Sequence, residues 1–161
     1  MQSGASGVER MKITLRPAVG SDFEACRRTY FAEVDWINER LQLNRDDQEA
    51  MFRKLWDPAQ VCVIQADGVD VGWLQTVASK SEHMLGQIFV EAPFQKKGIG
   101  TEVLRRIIEE ASRRRLPVRL AVVKFNPSRR LYERLGFRVT HEDERKVYMT
   151  RDPDPAPGTG G

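Results

Sequence analysis

A short segment rich in glycine and lysine lies between a strand pattern and a helix pattern, and its composition suggests chemistry. Residues 87–90 (Gln-Ile-Phe-Val) are aromatic and β-branched, which predicts a strand that ends before Pro93. From Ile99 onward the apolar residues recur with the period of one helix face. The segment therefore connects a strand to the N-terminus of a helix.

This connection has the composition of an anion-binding loop. A helix N-terminus presents unpaired N–H groups and the positive end of the helix dipole, and glycine lets a ligand approach the backbone. Lys96 and Lys97 add positive charge, while Gly98 and Gly100 leave room. We therefore expect the loop to hold a phosphate-bearing ligand; the alternative is an ordinary strand–helix turn with exposed lysines.

Two common phosphate-binding patterns are excluded. A Walker loop requires Gly-x-x-x-x-Gly-Lys-Ser/Thr, and no such run occurs in the sequence. A dinucleotide fingerprint requires a third Gly or Ala three residues after Gly100, where this chain has Val103. The phosphate-bearing ligand must therefore be recognised through a different pattern.

The run Gln95-x-x-Gly98-x-Gly100 after a strand resembles the acetyl-CoA loop of the GNAT superfamily of N-acetyltransferases. A second segment, Asn126-Pro127 with Tyr132 and then Gly136-Phe137, occurs in the order that the family shows. The resemblance is close over residues 87–137 and looser over residues 12–150. Two spaced motifs in the right order are more specific than either one alone.

The resemblance implies a mixed, mostly antiparallel central sheet flanked by helices, an α/β (α+β) fold, with acetyl-CoA as cosubstrate. In the family, backbone N–H groups at the strand end face the thioester carbonyl and the pantetheine amides, and the matching Asn binds the pantetheine arm. One of the arginines on the following helix, Arg129, Arg130 or Arg134, is a candidate for the 3′-phosphate; the alternative is that they are ordinary exposed arginines. The residues implied to bind the cosubstrate are Phe89, Val90, Gln95, Lys96, Lys97, Gly98, Ile99, Gly100, Thr101, Asn126 and Arg129.

Tyr132 is the residue that the resemblance places in catalysis. The departing CoA thiolate needs a proton, and the matching tyrosine supplies it in many family members. From the residues alone, a tyrosine among leucines is also typical of half-buried packing. Asn126 before Pro127 likewise predicts an N-cap with proline at the first helical position, so capping alone would explain Asn126.

The acceptor pocket in such proteins is built from the first helices and the central strands. We expect four residues to contribute aromatic walls and amide groups there: Trp36, Trp73, Gln75 and Gln87. For the two tryptophans core packing is an equal alternative. The carboxylate that some members carry before the strand end falls at Met84, so the sequence identifies no general base.

Composition limits the remaining function classes. The 161 residues carry a net charge of +3, which is too small to indicate a nucleic-acid partner. No apolar run approaches membrane-spanning length, and Cys26 and Cys62 lack metal-like spacing, so we expect no membrane segment and no metal. Free thiols and no visible signal peptide predict a soluble, cytoplasmic protein.

The chain pattern predicts one folded domain at residues 11–151, between disordered tails at 1–10 and 152–161. Inside this domain we expect the succession of strands and helices that is typical of an α/β fold, with an Asp67-Gly68 hairpin turn and a last strand at 146–150. Helices are expected after Ser21 or Asp22 and at 46–55, and further strands at 12–16, 61–65, 71–77 and 118–123.

The sequence as a whole predicts an N-acetyltransferase in which an amine attacks acetyl-CoA directly in a ternary complex. The two cysteines lack the setting of a nucleophile, which disfavours a covalent acyl-enzyme. The expected acceptor is a small-molecule or peptide amine, and a homodimer is compatible with the resemblance because dimers are common in the family. The alternative is a non-catalytic CoA-binding or protein-interaction module on the same fold.

Overall fold

A computed structural model describes residues 11–155 of the chain. These residues form seven strands and four α-helices, joined by short turns. The strands are β1 (Ile13–Pro17), β2 (Val61–Ala66), β3 (Val69–Ala78), β4 (His83–Val90), β5 (Val118–Val123), β6 (Arg138–Glu142) and β7 (Lys146–Arg151). The helices are α1 (Phe23–Arg40), α2 (Arg45–Leu55), α3 (Ile99–Arg113) and α4 (Arg129–Arg134).

The strands follow the order β1-β2-β3-β4-β5-β7-β6 in one sheet. Strands β1 and β2, β2 and β3, β5 and β7, and β6 and β7 pair antiparallel, whereas β4 and β5 pair parallel. The predicted mixed, mostly antiparallel sheet is thereby confirmed. Strand β6 was not predicted separately, because it contains a single apolar residue, Val139, and is largely exposed.

Contacts divide the chain into two compact units. Among the described residues, the first unit comprises 11–75 together with 87–100, and the second comprises 76–86 together with 101–155. The glycine loop belongs to the first unit. The segment with Asn126 and Tyr132 belongs to the second unit.

The first unit has an aromatic core. Trp73 on β3 lies 5.9 Å from Phe52 of α2 and 5.4 Å from Phe89 of β4, measured between ring centroids. The ring of Tyr30 on α1 lies 4.8 Å from that of Phe52 and 5.4 Å from that of Phe89, again measured between centroids. Each such pair adds about 0.5–1.5 kcal/mol beyond the burial of its area. The rings therefore hold the two helices against the ends of β3 and β4.

Helix α1 continues through residues 34–37 to Arg40, and in this last part Ile37 is buried while Trp36 is exposed. Helix α2 starts after Asn44, whose side-chain oxygen accepts a hydrogen bond from the Asp47 amide at 2.9 Å. Such an N-cap stabilises a helix by about 1 kcal/mol.

The second unit is built around the apolar face of α3. The residues of this face are buried as their period predicts: Val103, Leu104, Ile107, Ile108 and Ala111. Strands β5 and β7 pair in continuous register from Val118 with Arg151 to Val123 with Lys146. The parallel pairing of β4 and β5 begins at His83 with Val118.

The chain beyond β7 is attached by hydrogen bonds. Arg138 binds the Asp152 carboxylate at 2.7 Å, and Arg151 binds the Asp154 carboxylate at 2.7 Å. The Asp154 amide donates to the Ser112 hydroxyl at 2.9 Å. These contacts anchor the first residues of the segment for which we expected disorder. The remaining predicted tails, at 1–10 and 156–161, lie outside the described residues.

Candidate active site

The end of β4 is fixed to the glycine loop by a side chain. The Gln95 side-chain amide donates to the main-chain oxygen of Val90 at 2.8 Å, and the Glu91 amide donates to the main-chain oxygen of Val71 at 2.8 Å. A turn of 3₁₀-helix at Ala92–Phe94 lies between Glu91 and Gln95. Gln95, which we expected to contact the ligand, is therefore also the residue that ties the loop to the strand.

Two residues of the loop have left-handed backbone conformations. Lys96 has φ +63° and Gly98 has φ +86°. A lysine in this region costs about 1 kcal/mol or more, and such strain is found preferentially at ligand-binding sites. Alternating turn conformations of this kind direct successive N–H groups into concavities that bind anions. Lys96, Lys97 and Gly98 are all exposed, so the backbone of the loop is accessible to a ligand.

Gly100 leaves an unfilled space at the start of α3. A Cβ atom placed there would meet only one protein atom within 4 Å, the Val90 Cγ2 at 4.0 Å. The backbone of Gly100 is helical, so neither its conformation nor its neighbours require glycine. The start of α3 therefore has open space beside its unpaired N–H groups.

The segment around Asn126 differs from the prediction. Helix α4 begins at Arg129 and follows Ser128, so Asn126 is not the N-cap and Pro127 is not the first helical residue. The Asn126 side-chain oxygen accepts hydrogen bonds from the amide and hydroxyl of Ser128, at 2.9 and 2.8 Å. This local turn competes with helix, which is the physical reason for the later start.

The Asn126 turn leaves a donor for a ligand. Its oxygen is engaged by Ser128, whereas its side-chain NH₂ donates to no protein acceptor in the part of the chain that the structure describes. An amide NH₂ has two donors. Asn126 can therefore still serve a carbonyl-bearing ligand.

Tyr132 lies in α4 with its ring against Phe137. The two ring centroids are 5.8 Å apart and the planes meet at 67°. Burial raises the pKa of the Tyr132 phenol above its ordinary value of 10.0, and the Ser128 side chain partly offsets that shift. The phenol is therefore protonated at neutral pH and can act as a proton donor. Arg129, one turn earlier, pairs with Glu133 at 3.5 Å.

The acceptor candidates occupy different environments. Trp73 is 2% exposed and packs in the aromatic core, and the indole N–H has no hydrogen-bond partner among the described residues. Gln75 donates to the Leu55 main-chain oxygen and the Gln60 side chain, both at 2.9 Å. Trp36 is 45% exposed on α1, and Gln87 is partly buried in β4.

Gly72 was not identified from the sequence, and the structure places it against the end of β4. A Cβ atom at Gly72 would lie 2.1 Å from the main-chain oxygen of Phe89 and 3.0 Å from the Cα of Val90. Real atoms do not approach so closely, so only glycine fits. A glycine in a strand pattern can indicate a close backbone approach, which was the one available hint.

Residues 11–155 contain no cluster of three or more His, Cys, Asp or Glu side chains that could hold a metal ion. Burial raises the pKa of the Cys26 thiol to about 11, so this cysteine is not a thiolate at neutral pH. No helix in the described range is long and apolar enough to cross a membrane.

Comparisons with known proteins agree on one family of acetyltransferases. A family described as "Acetyltransferase (GNAT) domain" matches residues 57–139. The chain is 30% identical over 143 residues to a mycothiol acetyltransferase from Acidimicrobium ferrooxidans, covering 84% of this chain. It spans 46% of the length of that relative.

Solved structures show the same fold. The PaiA N-acetyltransferase from Thermoplasma acidophilum, crystallised with coenzyme A, aligns with a TM-score of 0.70, 16% identity and coverage of 88% of this chain and 99% of that chain. The ribosomal-protein-S18-alanine N-acetyltransferase from Escherichia coli aligns with a TM-score of 0.65 and 18% identity, over 92% and 98%. Since the family match includes just over half of the residues, the chain belongs to the GNAT acetyltransferase family.

Proposed function

We propose that this protein transfers the acetyl group of acetyl-CoA to a primary amine of a small molecule or peptide. The observation that carries the proposal is the unfilled space at Gly100, next to the strained Lys96 and the end of β4. Neither the backbone conformation nor a neighbouring atom among the described residues requires a glycine at position 100. A ligand phosphate at the helix N-terminus would require one, because it needs the space that a side chain would fill.

Similar proteins support acetyl-CoA as the cosubstrate. The Thermoplasma acidophilum relative was crystallised with coenzyme A, and so was an N-acetylglutamate synthase from Neisseria gonorrhoeae that has a TM-score of 0.66 to this chain. The curated relative is named as an acetyltransferase. In this chain we assign the phosphates to the backbone of residues 95–101, with Lys96 and Lys97 supplying charge.

The rest of the cosubstrate is assigned from the sequence resemblance. Asn126 would use its side-chain NH₂ on a pantetheine carbonyl, and Arg129 would reach the 3′-phosphate by leaving Glu133. The backbone N–H at Phe89 or Val90 would donate to the thioester carbonyl. Such a donor lowers the barrier by a few kcal/mol when charge develops on that oxygen.

In the transfer step the neutral amine nitrogen attacks the thioester carbonyl carbon. A carbon–nitrogen bond forms, the carbon–sulfur bond breaks, and Tyr132 delivers its proton to the departing thiolate sulfur. The proton that the attacking nitrogen loses as the amide forms passes to water, and the Tyr132 phenolate takes a proton back from water. The raised pKa of Tyr132 keeps that proton in place at neutral pH. We assign no general base, because the position at which some family members carry a carboxylate is Met84 here, and an amine that arrives neutral needs none.

The acceptor side is assigned to the first unit. Trp36 and Gln87 remain candidates for contact with the amine because their side chains are exposed or partly exposed. Gln75 is already bonded to Leu55 and Gln60, and Trp73 is buried, so these two would shape the wall rather than contact the acceptor. A cytoplasmic location and a homodimer are part of the proposal, on the grounds given by the sequence.

A panel of amines with acetyl-CoA, followed by release of the CoA thiol and by mass spectrometry of the product, tests the proposal. Acetylated amine and stoichiometric thiol release are the expected result. The alternative function, a non-catalytic CoA-binding or protein-interaction module, predicts CoA binding without thiol release for every amine. No binding of any CoA form would contradict both functions.

A further inference from the structure

Phe89 is held from three directions within the first unit. Its ring lies 5.4 Å from the rings of Tyr30 and Trp73, and its main-chain oxygen lies over Gly72. Directly after it, the Glu91 amide is bonded to the main-chain oxygen of Val71. The peptide between Phe89 and Val90 is therefore fixed on its β3 side by these contacts.

The direction of the Phe89 carbonyl follows from the distances to Gly72. A Cβ atom at Gly72 would lie 2.1 Å from the Phe89 oxygen but 3.1 Å from its carbonyl carbon. The oxygen is nearer than the carbon by most of the length of a C=O bond, about 1.23 Å, so the bond points toward that position. The Phe89 carbonyl is thus aimed at β3 and occupies the place of a Gly72 side chain.

The peptide geometry then sets the direction of the next N–H group. In a trans peptide the C=O and N–H bonds point in opposite directions, and no peptide among the described residues is cis. Because the Phe89 oxygen points toward Gly72, the Val90 N–H points away from β3. The Val90 N–H therefore cannot donate a hydrogen bond to β3.

We infer that Gly72 is a positioning residue for acetyl transfer: its missing side chain admits the Phe89 carbonyl and thereby aims the Val90 N–H at the thioester oxygen. This inference rests on the proposed function and adds a residue to it. A side chain at position 72 would have to displace the Phe89 carbonyl, because the atoms in its way are backbone atoms. The rotated peptide would misdirect the Val90 N–H.

A misdirected Val90 N–H should slow the chemical step and leave the binding of CoA nearly unchanged. Coenzyme A without an acetyl group has no thioester oxygen, so its binding depends on the loop at residues 95–101 rather than on the Val90 N–H. Loss of one aligned oxyanion donor lowers kcat by about 100-fold or more. Gly72→Ala is therefore expected to lower kcat at least tenfold and to change the dissociation constant of CoA less than threefold.

The matched control is Gly20→Ala, since a Cβ atom at Gly20 would meet nothing within 4 Å and Gly20 lies in the same unit. This variant should leave both quantities unchanged. A folded Gly72→Ala protein with unchanged kcat would overturn the inference. So would a parallel loss of kcat and CoA affinity, which would indicate a general disturbance of the loop.

A measurement on the unmodified protein decides the question if Gly72→Ala does not fold. The Val90 amide proton is followed by NMR with two inert analogues, acetonyl-CoA, which keeps the carbonyl, and ethyl-CoA, which lacks it. A downfield shift of Val90 with acetonyl-CoA alone is expected. Equal shifts with both analogues would refute the positioning role of Gly72, whereas failure of both analogues to bind would refute the proposed function itself.

Discussion

The side-chain amide of Gln95 donates a hydrogen bond of 2.8 Å to the main-chain oxygen of Val90. This bond joins the residue that opens the glycine loop to the last residue of β4. The hydrogen bond thereby fixes the loop that we propose to bind the phosphates relative to the strand end at which we propose that the thioester binds. Loss of this hydrogen bond should therefore affect both the stability of the protein and its affinity for CoA.

Substitution of Gln95 by Ala should loosen the loop. The main-chain oxygen of Val90 loses its partner, so the free energy of unfolding should fall by about 1 kcal/mol. The affinity for CoA should fall several-fold, because the loop must then be ordered on binding. Urea unfolding and calorimetric titration with CoA measure the two effects.

Gln65→Ala is the control for that experiment. Gln65 also donates a side-chain hydrogen bond of 2.9 Å, to Asp70, but lies on β2 away from the loop in sequence. Its loss should lower stability without changing the affinity for CoA. If the Gln95 and Gln65 variants bind CoA equally well, the bond to Val90 has no role in the ligand site.

Gly100→Ala should separate stability from binding. The backbone there is helical and the nearest atom to a new Cβ is 4.0 Å away, so alanine should raise the free energy of unfolding by up to about 1 kcal/mol. The methyl group would fill the space assigned to phosphate, and the affinity for CoA should fall at least tenfold. A more stable protein with undiminished affinity would show that the space is not used by the ligand.

Tyr132→Phe should slow the chemical step without weakening CoA binding. General acid catalysis contributes about 100-fold or more, so kcat should fall by that order. Because burial raises the pKa of Tyr132 above its ordinary value of 10.0, loss of activity from ionisation of this phenol should begin at a higher pH than it would for an exposed tyrosine. Steady-state kinetics over pH 7 to 10 check both statements, and an unchanged kcat in Tyr132→Phe would remove the residue from the mechanism.

His83 should make the protein sensitive to acid. It is 8% exposed at the start of β4, and neither ring nitrogen has a hydrogen-bond partner within residues 11–155. Burial lowers the pKa of His83 below 6.5, Arg114 lowers it further and Glu110 opposes the shift. Below pH 6.5 the unfolded chain therefore binds more protons than the folded protein.

The free energy of unfolding contributed by His83 is present above pH 6.5 and is lost as the pH falls through the lowered pKa. Chemical unfolding between pH 7.5 and 5 measures this loss. The slope should diminish in His83→Leu and persist in a variant of the exposed histidine, His141→Gln. Equal slopes in all three proteins would mean that another group controls the acid response.

Local patterns predicted those parts of the chain whose structure is local. The strand at Val118–Val123 and the start of α3 at Ile99 agree with the prediction, because β-branched runs and apolar periods are local signals. The start of α4 did not agree, since the Asn126 side chain forms its own turn with Ser128. Strand β6 lacked the apolar alternation that identifies a strand.

The candidate site could be predicted only where it is continuous in sequence. The loop of residues 95–101 is a single run, and its glycines and lysines are visible as a motif. Gly72 could not be assigned, because its close contact is with Phe89 on another strand and depends on how the strands approach. Trp73 was ambiguous for the same reason, and its burial favours the core-packing alternative.

Thermal unfolding with and without acetyl-CoA, CoA and dephospho-CoA shows whether the protein binds the cosubstrate. A ligand at 100 times its dissociation constant should stabilise the protein by about 2.7 kcal/mol, and the Tm should rise by several degrees with acetyl-CoA and CoA. Dephospho-CoA, which lacks the 3′-phosphate assigned to Arg129, should give a smaller rise. No change in Tm with any of the three ligands at millimolar concentration would contradict the assignment of the glycine loop as an acetyl-CoA site.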